Sequence, residues 1–214
     1  MFEQFKRDIH SVMERDPAVK SQLEVLLCYP GFRALRSYRR AHRAYLKKHY
    51  LLARIINTVS RKRTGIDIHP GATIGEGLFI DHGSGTVIGE TAVLGNNVTL
   101  YQGVTLGGTG KDTGKRHPTL GNNVTVGAGA KVLGPITVGD HVKIGAGSIV
   151  LRDVPPHCTV VGNPGRIVKQ KDPTDNRVDL NHGDLPDPML ERIQQLSARI
   201  DKLEKALAQP EQKK

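Results

Sequence analysis

The sequence predicts a mainly β protein, a parallel β-helix of hexapeptide repeats, preceded by α-helices and followed by one further helix. The first observation is an aliphatic residue that returns every six positions, which fits neither the period of an α-helix nor the alternation of a strand. Thirteen residues follow this period: Ile68, Ile74, Ile80, Ile88, Leu94, Leu100, Leu106, Leu120, Val126, Val132, Val138, Ile144 and Val150. The period slips twice, by two extra residues before Ile88 and by eight before Leu120.

The second observation concerns the residues that follow each aliphatic position. Glycine comes directly after it in eight repeats, at Gly75, Gly89, Gly95, Gly107, Gly121, Gly127, Gly139 and Gly145. A small or β-branched residue often lies four positions after it, at Ala72, Ala92, Val98, Val104, Val124, Ala130, Val142 and Ser148. We expect the aliphatic side chain to point inward and glycine to permit a tight corner without a Cβ clash. Three hexapeptides would complete one triangular coil, so thirteen would make just over four coils.

Residues 1–65 are predicted to form an N-terminal helical domain. One helix face carries Phe2, Phe5, Ile9 and Val12. Asp16-Pro17 is a favourable N-cap and first-turn pair for a second helix. Tyr29-Pro30-Gly31 is expected to be a break. Residues 32 to about 63 then indicate one or two further helices that stop at Gly65.

The predicted β-helix domain, residues 66–169, is followed by two further segments. Residues 170–188 are polar and rich in Asp, Asn and Pro, which is typical of a linker. Residues 189–208 form an amphipathic helix whose apolar residues recur at spacings of four and three: Met189, Ile193, Leu196, Ile200, Leu203 and Leu207. This is a coiled-coil heptad, the alternative being a single helix packed on its own subunit. Isoleucine at heptad position a with leucine at position d generally favours two-stranded coiled coils, although attachment of the helix to a trimeric domain can override this preference.

Charge and cysteine content restrict the partners and the compartment. The formal net charge is +10, and no acidic residue lies between Glu24 and Asp67. The basic stretch fits either an anionic partner or a solvated helix face, and we favour the solvated face because no nucleic-acid motif accompanies it. Two cysteines indicate a reducing compartment. With no signal peptide or apolar span, we expect a cytoplasmic protein without nucleic-acid or membrane partners.

The first interruption of the repeat, residues 81–86, is a candidate site because loops on a rigid scaffold often carry function. His82 lies there, with Asp67 before it and Glu90 after it. A carboxylate beside a histidine raises its basicity and fixes its tautomer, so His82 is a candidate general base. The alternative is a surface histidine whose hydrogen bonds are satisfied by the loop.

The second interruption, residues 107–119, is rich in glycine and basic residues. It lacks the spacing of a phosphate-binding P-loop. We interpret it either as a flexible lid that brings Arg116 to a carboxylate, or as a solvated loop. No histidine pair has the spacing of a zinc site, and no base can be assigned to Cys158 as a nucleophile. We therefore expect no metal.

Several motifs together resemble the serine O-acetyltransferase family, over residues 16 to about 170. They are Asp67-Ile68-His69-Pro70, Asp81-His82-Gly83-Ser84-Gly85, Gly89-Glu90-Thr91-Ala92, Val104-Thr105-Leu106-Gly107-Gly108-Thr109-Gly110, Lys115-Arg116-His117-Pro118 and Gly162-Asn163-Pro164. The general hexapeptide family shares the repeat but not this combination of motifs. The resemblance implies a left-handed β-helix, usually trimeric, and transfer of acetyl from acetyl-CoA to the hydroxyl of L-serine. The product, O-acetyl-L-serine, leads to L-cysteine.

The resemblance also implies how the reaction proceeds. His82 would be the catalytic general base that takes the proton of the serine hydroxyl, and Asp67 would pair with it. A serine hydroxyl is a poor nucleophile at neutral pH, and a positioned base contributes roughly 10²–10⁴-fold. Because the thioester of acetyl-CoA is already activated, direct attack needs no acyl-enzyme.

The same resemblance implies the substrate-binding residues. Asp16 and Asp81 would bind the ammonium group of serine, and Arg116 its carboxylate. His117 would lie nearby, and Glu90 would support the site. A zwitterionic amino acid needs carboxylates at one end and an arginine at the other, which agrees with these assignments.

The co-substrate acetyl-CoA is expected, by the same resemblance, in the groove between neighbouring β-helices. Gly108, Ala128 and Lys143 match positions that line this groove. Arg166 and Lys169, just past the repeat, are candidates for the CoA phosphates.

Partners and departures follow from the same comparison. L-Cysteine is expected as a feedback inhibitor, since it differs from serine by sulfur for oxygen. The helical region looks shorter than in long-form members, so a homotrimer and a dimer of trimers both remain open. The usual C-terminal Ile that binds cysteine synthase is absent from residues 210–214, which puts that complex in doubt.

Three other functions stay open at the sequence level. One is a hexapeptide acetyltransferase for a sugar or an antibiotic, which would not need paired opposite charges. A second is a carbonic anhydrase-like metalloenzyme. A third is a basic scaffold for nucleic acid, which rests only on the net charge.

Overall fold

The computed structural model describes residues 2–110, 113–170 and 188–208. Four helices come first: α1 (Phe2–Arg15), α2 (Gln22–Cys28), α3 (Pro30–Leu46) and α4 (Tyr50–Thr64). The strands that follow are β1 (Asp67–Ile68), β2 (Thr73–Ile74), β3 (Phe79–Ile80), β4 (Val87–Ile88), β5 (Val93–Leu94), β6 (Thr99–Leu100), β7 (Thr105–Gly107), β8 (Thr119–Leu120), β9 (Thr125–Val126), β10 (Lys131–Leu133), β11 (Thr137–Val138), β12 (Lys143–Ile144), β13 (Ile149–Val150), β14 (Cys158–Val161) and β15 (Arg166–Gln170). The last described element is α5 (Pro188–Ala208). Within these ranges, no helix combines the length and apolar character needed to cross a membrane.

The strands form three sheets that make the three faces of a prism. Sheet A has the order β1-β4-β7-β10-β13, sheet B the order β11-β8-β5-β2, and sheet C the order β15-β14-β12-β9-β6-β3. The chain therefore passes from sheet A to B to C and back to A. All pairings are parallel except that of β14 with β15. The predicted parallel β-helix is confirmed.

The strand register confirms both predicted slips of the repeat. Val87 pairs with Thr105, which is the regular step of three hexapeptides. The step from Asp67 to Val87 is two residues longer, and the step from Val93 to Thr119 is eight residues longer. The extra residues leave the prism as loops, so the ladder continues without interruption.

The interior of the prism is filled by the residues that the period predicts. Twelve of the thirteen aliphatic residues are at most 3 % exposed, and Ile74 is partly buried against the same cluster. The small residues four positions later are buried as well, from Ala72 to Ser148. Burial of this stack supplies the main stabilisation of the fold, at about 25 cal/mol per Å² of apolar surface.

The helical domain packs against sheet C through a smaller apolar cluster. Ile9 and Val12 of α1 are buried with Phe32 of α3 and Phe79 of β3. The guanidinium of Arg15 donates hydrogen bonds to the Gly77 carbonyl at 3.1 Å and to other groups of the same corner. The end of α1 is therefore fixed to the prism. The side chain of Phe2, also predicted on this face, lies outside the described residues.

The predicted start of the second helix is wrong. Helix α2 begins after Ser21, whose hydroxyl accepts a hydrogen bond from the Glu24 amide at 3.2 Å. The carboxylate of Asp16 instead accepts from the Ala18 amide at 2.8 Å and from the Tyr29 hydroxyl at 2.6 Å. Asp16 closes a turn because these two donors are within its reach and the first amides of α2 are not.

The predicted break between the second and third helices is confirmed at Tyr29, but Pro30 and Gly31, which were predicted to belong to it, lie in the next helix. Helix α3 begins at Pro30, where the missing amide hydrogen costs no helical hydrogen bond. Gly31 lies against β3, and an added Cβ would come within 2.9 Å of the Ile80 Cβ. Glycine thus permits the close approach of α3 to the prism. Helices α3 and α4 are separated near Lys48, and α4 is capped by Gly65, both with positive φ.

The two loops inserted into the repeat lie at different corners of the prism. We call the corner where the chain passes from sheet C to sheet A the CA corner, and it carries residues 81–86. We call the corner between sheets A and B the AB corner, and it carries residues 108–118. Residues 111 and 112, within the second insertion, are outside the described ranges. The predicted site residues are therefore divided between two corners.

Candidate active site

At the CA corner, two carboxylates share a small region with two tyrosines. The Tyr29 hydroxyl donates to Asp16, as described above. Burial first, and then the hydrogen bond and charge of Asp16 and the charge of Asp81, raise the pKa of Tyr29. Burial and the same two carboxylates also raise the pKa of Tyr101. Asp16 and Asp81 therefore lie close enough to act on the same phenols, and this corner carries concentrated negative charge.

His82 follows Asp81 directly and stands at the tip of the first insertion. Its backbone is left-handed, with φ of 55°, and its side chain is exposed. The next residue, Gly83, packs on the start of the prism, where an added Cβ would lie 3.0 Å from Ile66 Cγ1. The loop is thus anchored while the imidazole faces outward. In the described part of the chain, His82 makes no hydrogen bond or ion pair.

Among the described residues, no hydrogen bond or ion pair joins Asp67 to His82. Asp67 accepts a hydrogen bond from the Asn57 amide at 3.1 Å and pairs with Arg61 at 3.3 Å. Both partners belong to α4, which packs beside β1. Asp67 is thereby held at the edge of sheet A by the helical domain.

At the AB corner, Arg116 and Glu90 form an ion pair. The Tyr45 hydroxyl donates a second hydrogen bond to Glu90 at 3.2 Å. Burial alone would raise the pKa of Glu90, but the hydrogen bond from Arg116 and the charges of His69 and Arg116 lower it below its ordinary value. Glu90 is therefore a carboxylate that orients the guanidinium of Arg116.

His117 is a nearly buried, neutral imidazole beside this pair. It is 8 % exposed, and burial followed by the charge of Arg116 lowers its pKa. Its Nδ1 accepts from the Thr91 amide at 3.2 Å and lies 2.9 Å from the Thr91 hydroxyl. Because Nδ1 accepts, we assign the proton to Nε2.

Thr91 fixes the end of the second insertion to the prism. Its hydroxyl accepts from the amides of Arg116 and His117, both at 3.1 Å. Its carbonyl accepts from the Lys115 ammonium at 2.7 Å. Three consecutive residues of the loop are therefore held by one threonine, and this places Arg116 and His117 side by side.

Two glycines make room for this arrangement. A Cβ on Gly89 would overlap the His117 ring. A Cβ on Gly108 would lie 3.2 Å from both Arg116 Cγ and His117 Nε2. Gly108, predicted to line the acetyl-CoA groove, therefore lies against the arginine cluster of the AB corner.

The other predicted acetyl-CoA residues lie elsewhere. Ala128 stands at the CA corner, where its carbonyl accepts from the Gly147 amide at 2.8 Å, and Lys143 is a buried residue of β12 in sheet C. Arg166 begins β15, and its guanidinium lies 3.7 Å from the Met189 sulfur of α5. The side chain of Lys169 is outside the described residues. Among those residues, no group of three or more His, Cys, Asp or Glu is placed to hold a metal ion.

No part in the site was predicted from the sequence for Tyr29, Tyr45, Thr91 or Tyr101. Tyr29 was assigned only to a helix break, and Tyr45 is 45 positions from its partner Glu90. Contacts between residues this far apart in the sequence leave no pattern that can be recognised in a short stretch of it. Thr91 could have been predicted as a site residue, because it directly follows Glu90 in the motif Gly89-Glu90-Thr91-Ala92.

Comparison with known proteins gives a consistent result. Residues 1–37 match the family model "Serine acetyltransferase, N-terminal", and residues 117–152 match "Bacterial transferase hexapeptide (six repeats)". The chain is 55 % identical to a serine acetyltransferase of Bacillus pumilus, over 97 % of this chain and 95 % of the relative. It is also 55 % identical to the Bacillus subtilis protein of that name, over 96 % and 94 % of the two chains.

Solved structures agree with the sequence relatives. The Neisseria gonorrhoeae serine acetyltransferase in complex with serine is 45 % identical, with a TM-score of 0.76, and the match covers 78 % of this chain and 69 % of that one. A serine acetyltransferase in complex with cysteine is 44 % identical, with a TM-score of 0.82 over 86 % and 71 % of the two chains. The soybean enzyme with serine is 48 % identical, with a TM-score of 0.76 over 78 % and 68 %.

Proposed function

This chain belongs to the serine acetyltransferase family, with its left-handed β-helix, and we propose that it transfers acetyl from acetyl-CoA to the hydroxyl of L-serine, giving O-acetyl-L-serine and CoA. The observation that carries the proposal is the pair of oppositely charged clusters at the two insertions. Asp16 and Asp81 offer negative charge for an ammonium group. Arg116, oriented by Glu90, offers a guanidinium for a carboxylate. An α-amino acid presents both groups.

The two clusters imply that the site forms between subunits. The CA and AB corners are separated by one face of the prism, a hexapeptide of roughly 15–20 Å at strand spacing. A serine molecule is much shorter than this face. One serine can contact Asp81 and Arg116 together only when the CA corner of one subunit meets the AB corner of its neighbour. Copies that meet head to tail in this way form a closed ring when the rotation between neighbours allows it, and the family resemblance favours a ring of three subunits.

His82 is the proposed base of the reaction. It takes the proton from the serine hydroxyl while the oxygen attacks the thioester carbonyl, and it returns the proton to the sulfur as CoA leaves. The exposed position of the imidazole at the subunit surface suits a group that meets its substrate at an interface. Asp67, which Asn57 and Arg61 hold at the edge of sheet A, is proposed to pair with His82.

The neutral state of His117 supports a binding role beside Arg116. Its Nε2–H is free to donate to the carboxylate or the hydroxyl of serine, because Nδ1 is committed to Thr91. Acetyl-CoA is proposed to run along the subunit groove past Gly108, Ala128 and Lys143, with Arg166 and Lys169 near its phosphates. L-Cysteine, which is bound by a solved relative, is proposed to occupy the serine site and inhibit the enzyme.

The proposal is tested by CoA release in the presence of different acceptors. Purified protein and acetyl-CoA are incubated with L-serine, with a neutral sugar, or with no acceptor, and free thiol is measured with a chromogenic reagent. A Cys28→Ser background removes the exposed protein thiol. We expect release that depends on L-serine and is lowered by added L-cysteine. Release with the sugar alone would overturn the serine assignment.

Two arginine variants make the test specific for the site. Arg116→Gln should raise the KM for serine by at least ~10-fold, because a charge-assisted hydrogen bond is lost. Arg152→Gln changes an exposed arginine outside both clusters and should leave KM unchanged. Equal KM values for the two variants would remove Arg116 from the serine site.

A further inference from the structure

Helix α5 presents an apolar face that its own subunit does not bury. The helix has 21 residues, a length of about 31 Å. The apolar side chains of this face are between 45 and 58 % exposed: Met189, Ile193, Leu196, Ile200 and Leu203. None belongs to either apolar cluster of the described residues. A face of this size requires a partner if it is to leave water.

The spacing of this face is that of a coiled-coil seam. Alternating steps of four and three place Ile193 and Ile200 at heptad position a, and Met189, Leu196 and Leu203 at position d. A seam of only a and d residues is narrower than the stripe of a helix that packs on a globular core. We propose that α5 pairs with the α5 helices of other copies of this chain as a parallel coiled coil, three-stranded if the trimer of the proposed function is correct.

The charges that flank the seam favour identical partners in parallel. Arg192 and Arg199 occupy position g, and Ser197 and Glu204 occupy position e. In a parallel pair, g of one helix faces e of the following heptad on its partner, so Arg199 meets Glu204. An antiparallel pair would place arginine opposite arginine along the same edge. The sequence is thus self-complementary in one orientation only.

The number of strands follows from the tether rather than from the seam. Ile at a with Leu at d favours two strands in free peptides. In a ring of three subunits, all three chains leave their β-helices in the same direction, so their α5 helices reach one another in parallel and at high effective concentration. The tether therefore favours three strands around the trimer axis.

Cysteine cross-linking tests the seam and its direction. In the Cys28→Ser background, Leu203→Cys places a thiol at position d, and Lys205→Cys places one at the outward position f. Under mild oxidation we expect Leu203→Cys to form interchain disulfides at least ~10-fold faster than Lys205→Cys. Equal cross-linking rates for the two variants would contradict the proposed coiled-coil seam. If Leu203→Cys cross-links only when mixed with Ile193→Cys, the helices are antiparallel and the proposal is wrong.

Assembly measured on the full chain gives a second readout. Ile200→Asp puts a charge in the seam, while Ala198→Asp puts one at position f on the same helix. We expect only Ile200→Asp to raise the concentration at which the trimer dissociates, by at least ~10-fold in sedimentation equilibrium. Identical dissociation of both variants would contradict the proposal. Serine-dependent CoA release by the wild-type protein is measured in parallel, so that the proposed function and the proposed coiled coil can be judged separately. Cross-linking at position 203 without such release would contradict the proposed function and still support the coiled coil.

Discussion

The hydroxyl of Tyr29 donates a 2.6 Å hydrogen bond to Asp16, and this bond holds one carboxylate of the CA corner in place. The raised pKa of Tyr29 keeps its proton on the oxygen at neutral pH. Tyr29 is therefore a permanent donor that fixes the position of the Asp16 carboxylate. It acts on the proposed ammonium site through Asp16 and is a positioning residue.

Tyr29→Phe should raise the KM for L-serine about 10-fold and change kcat much less, because a hydrogen bond to a charged group is worth about 1.5–3 kcal/mol. Initial rates over a range of serine concentrations measure this. Tyr50→Phe is the matched control, since Tyr50 is half-exposed and its ring contact with Tyr45 is preserved. An unchanged KM in Tyr29→Phe would show that Asp16 needs no support from the tyrosine.

The neutral His117 makes stability depend on pH. Its pKa in the folded chain is lower than the 6.5 of a free imidazole, so the unfolded chain binds a proton at a higher pH than the folded chain does. The stability contributed by the neutral ring is thus present above pH 6.5 and is lost as the pH falls through the folded pKa. The nearby His69, whose pKa is also lowered by burial, adds to the same trend.

We expect His117→Asn to flatten this dependence. The amide oxygen of asparagine can still accept from Thr91, but it has no proton to gain. Melting temperature measured between pH 7.5 and 5 should fall less steeply in His117→Asn than in wild type. His10→Asn, at an exposed position of α1, should follow the wild-type curve. Parallel curves for wild type and His117→Asn would contradict the assignment.

At the scale of elements, the AB corner depends on a close approach between β4 and the second insertion. Gly89, directly after β4, lies under the His117 ring, and Thr91 two positions later holds the loop. The prism supplies rigidity, and the loop supplies the charged side chains. Loss of either contact would separate Arg116 from the position that Glu90 gives it.

Gly89→Ala should therefore lower kcat/KM for serine by at least ~10-fold, since a shift of about 1 Å at a binding group costs this much or more. Its Cβ cannot be accommodated without moving His117. The matched control is Gly114→Ala in the same loop, where an added Cβ meets nothing within 4 Å. Equal kcat/KM in the two variants would show that the His117 ring can move without consequence. Circular dichroism checks that both variants fold.

The elements differ in how far the sequence could predict them. The β-helix was predictable because its interior requires an aliphatic residue at every sixth position. The period and both of its slips can therefore be recognised directly in the sequence. The helical domain was predicted less well. Asp16 has the side chain of a typical helix cap, but it binds the hydroxyl of Tyr29, thirteen residues away. Gly31 is a residue type that often breaks helices, and only its close approach to Ile80 explains why glycine lies within α3.

At the scale of the whole molecule, one chain carries the two charged clusters of the proposed site at separate corners of the prism. The family resemblance predicted Asp16, Asp81, Glu90, Arg116 and His117 as site residues. It could not show their distribution between two corners, because the motifs follow the chain whereas the corners depend on how each coil closes. The contacts of Asp67 with Asn57 and Arg61 could not be predicted from the motifs either.

The most direct test of this account is complementation between two inactive variants. His82→Ala and Arg116→Ala chains, each with a different affinity tag to verify equal amounts, are co-expressed, and the total purified protein, without selection for mixed assemblies, is assayed for serine-dependent CoA release. A site shared between subunits is intact wherever the Arg116→Ala chain supplies His82 and the His82→Ala chain supplies Arg116. In random mixtures this holds for about one quarter of all sites.

A second mixture, wild type with the His82→Ala/Arg116→Ala double variant, calibrates the result. Shared sites predict about one quarter of wild-type activity in this mixture too, whereas sites within one subunit predict about one half. We predict about one quarter in both mixtures. The shared site, on which the proposed mechanism depends, would be contradicted by a different pair of results. In that case the first mixture would be no more active than either variant alone, and the second would retain about one half of wild-type activity.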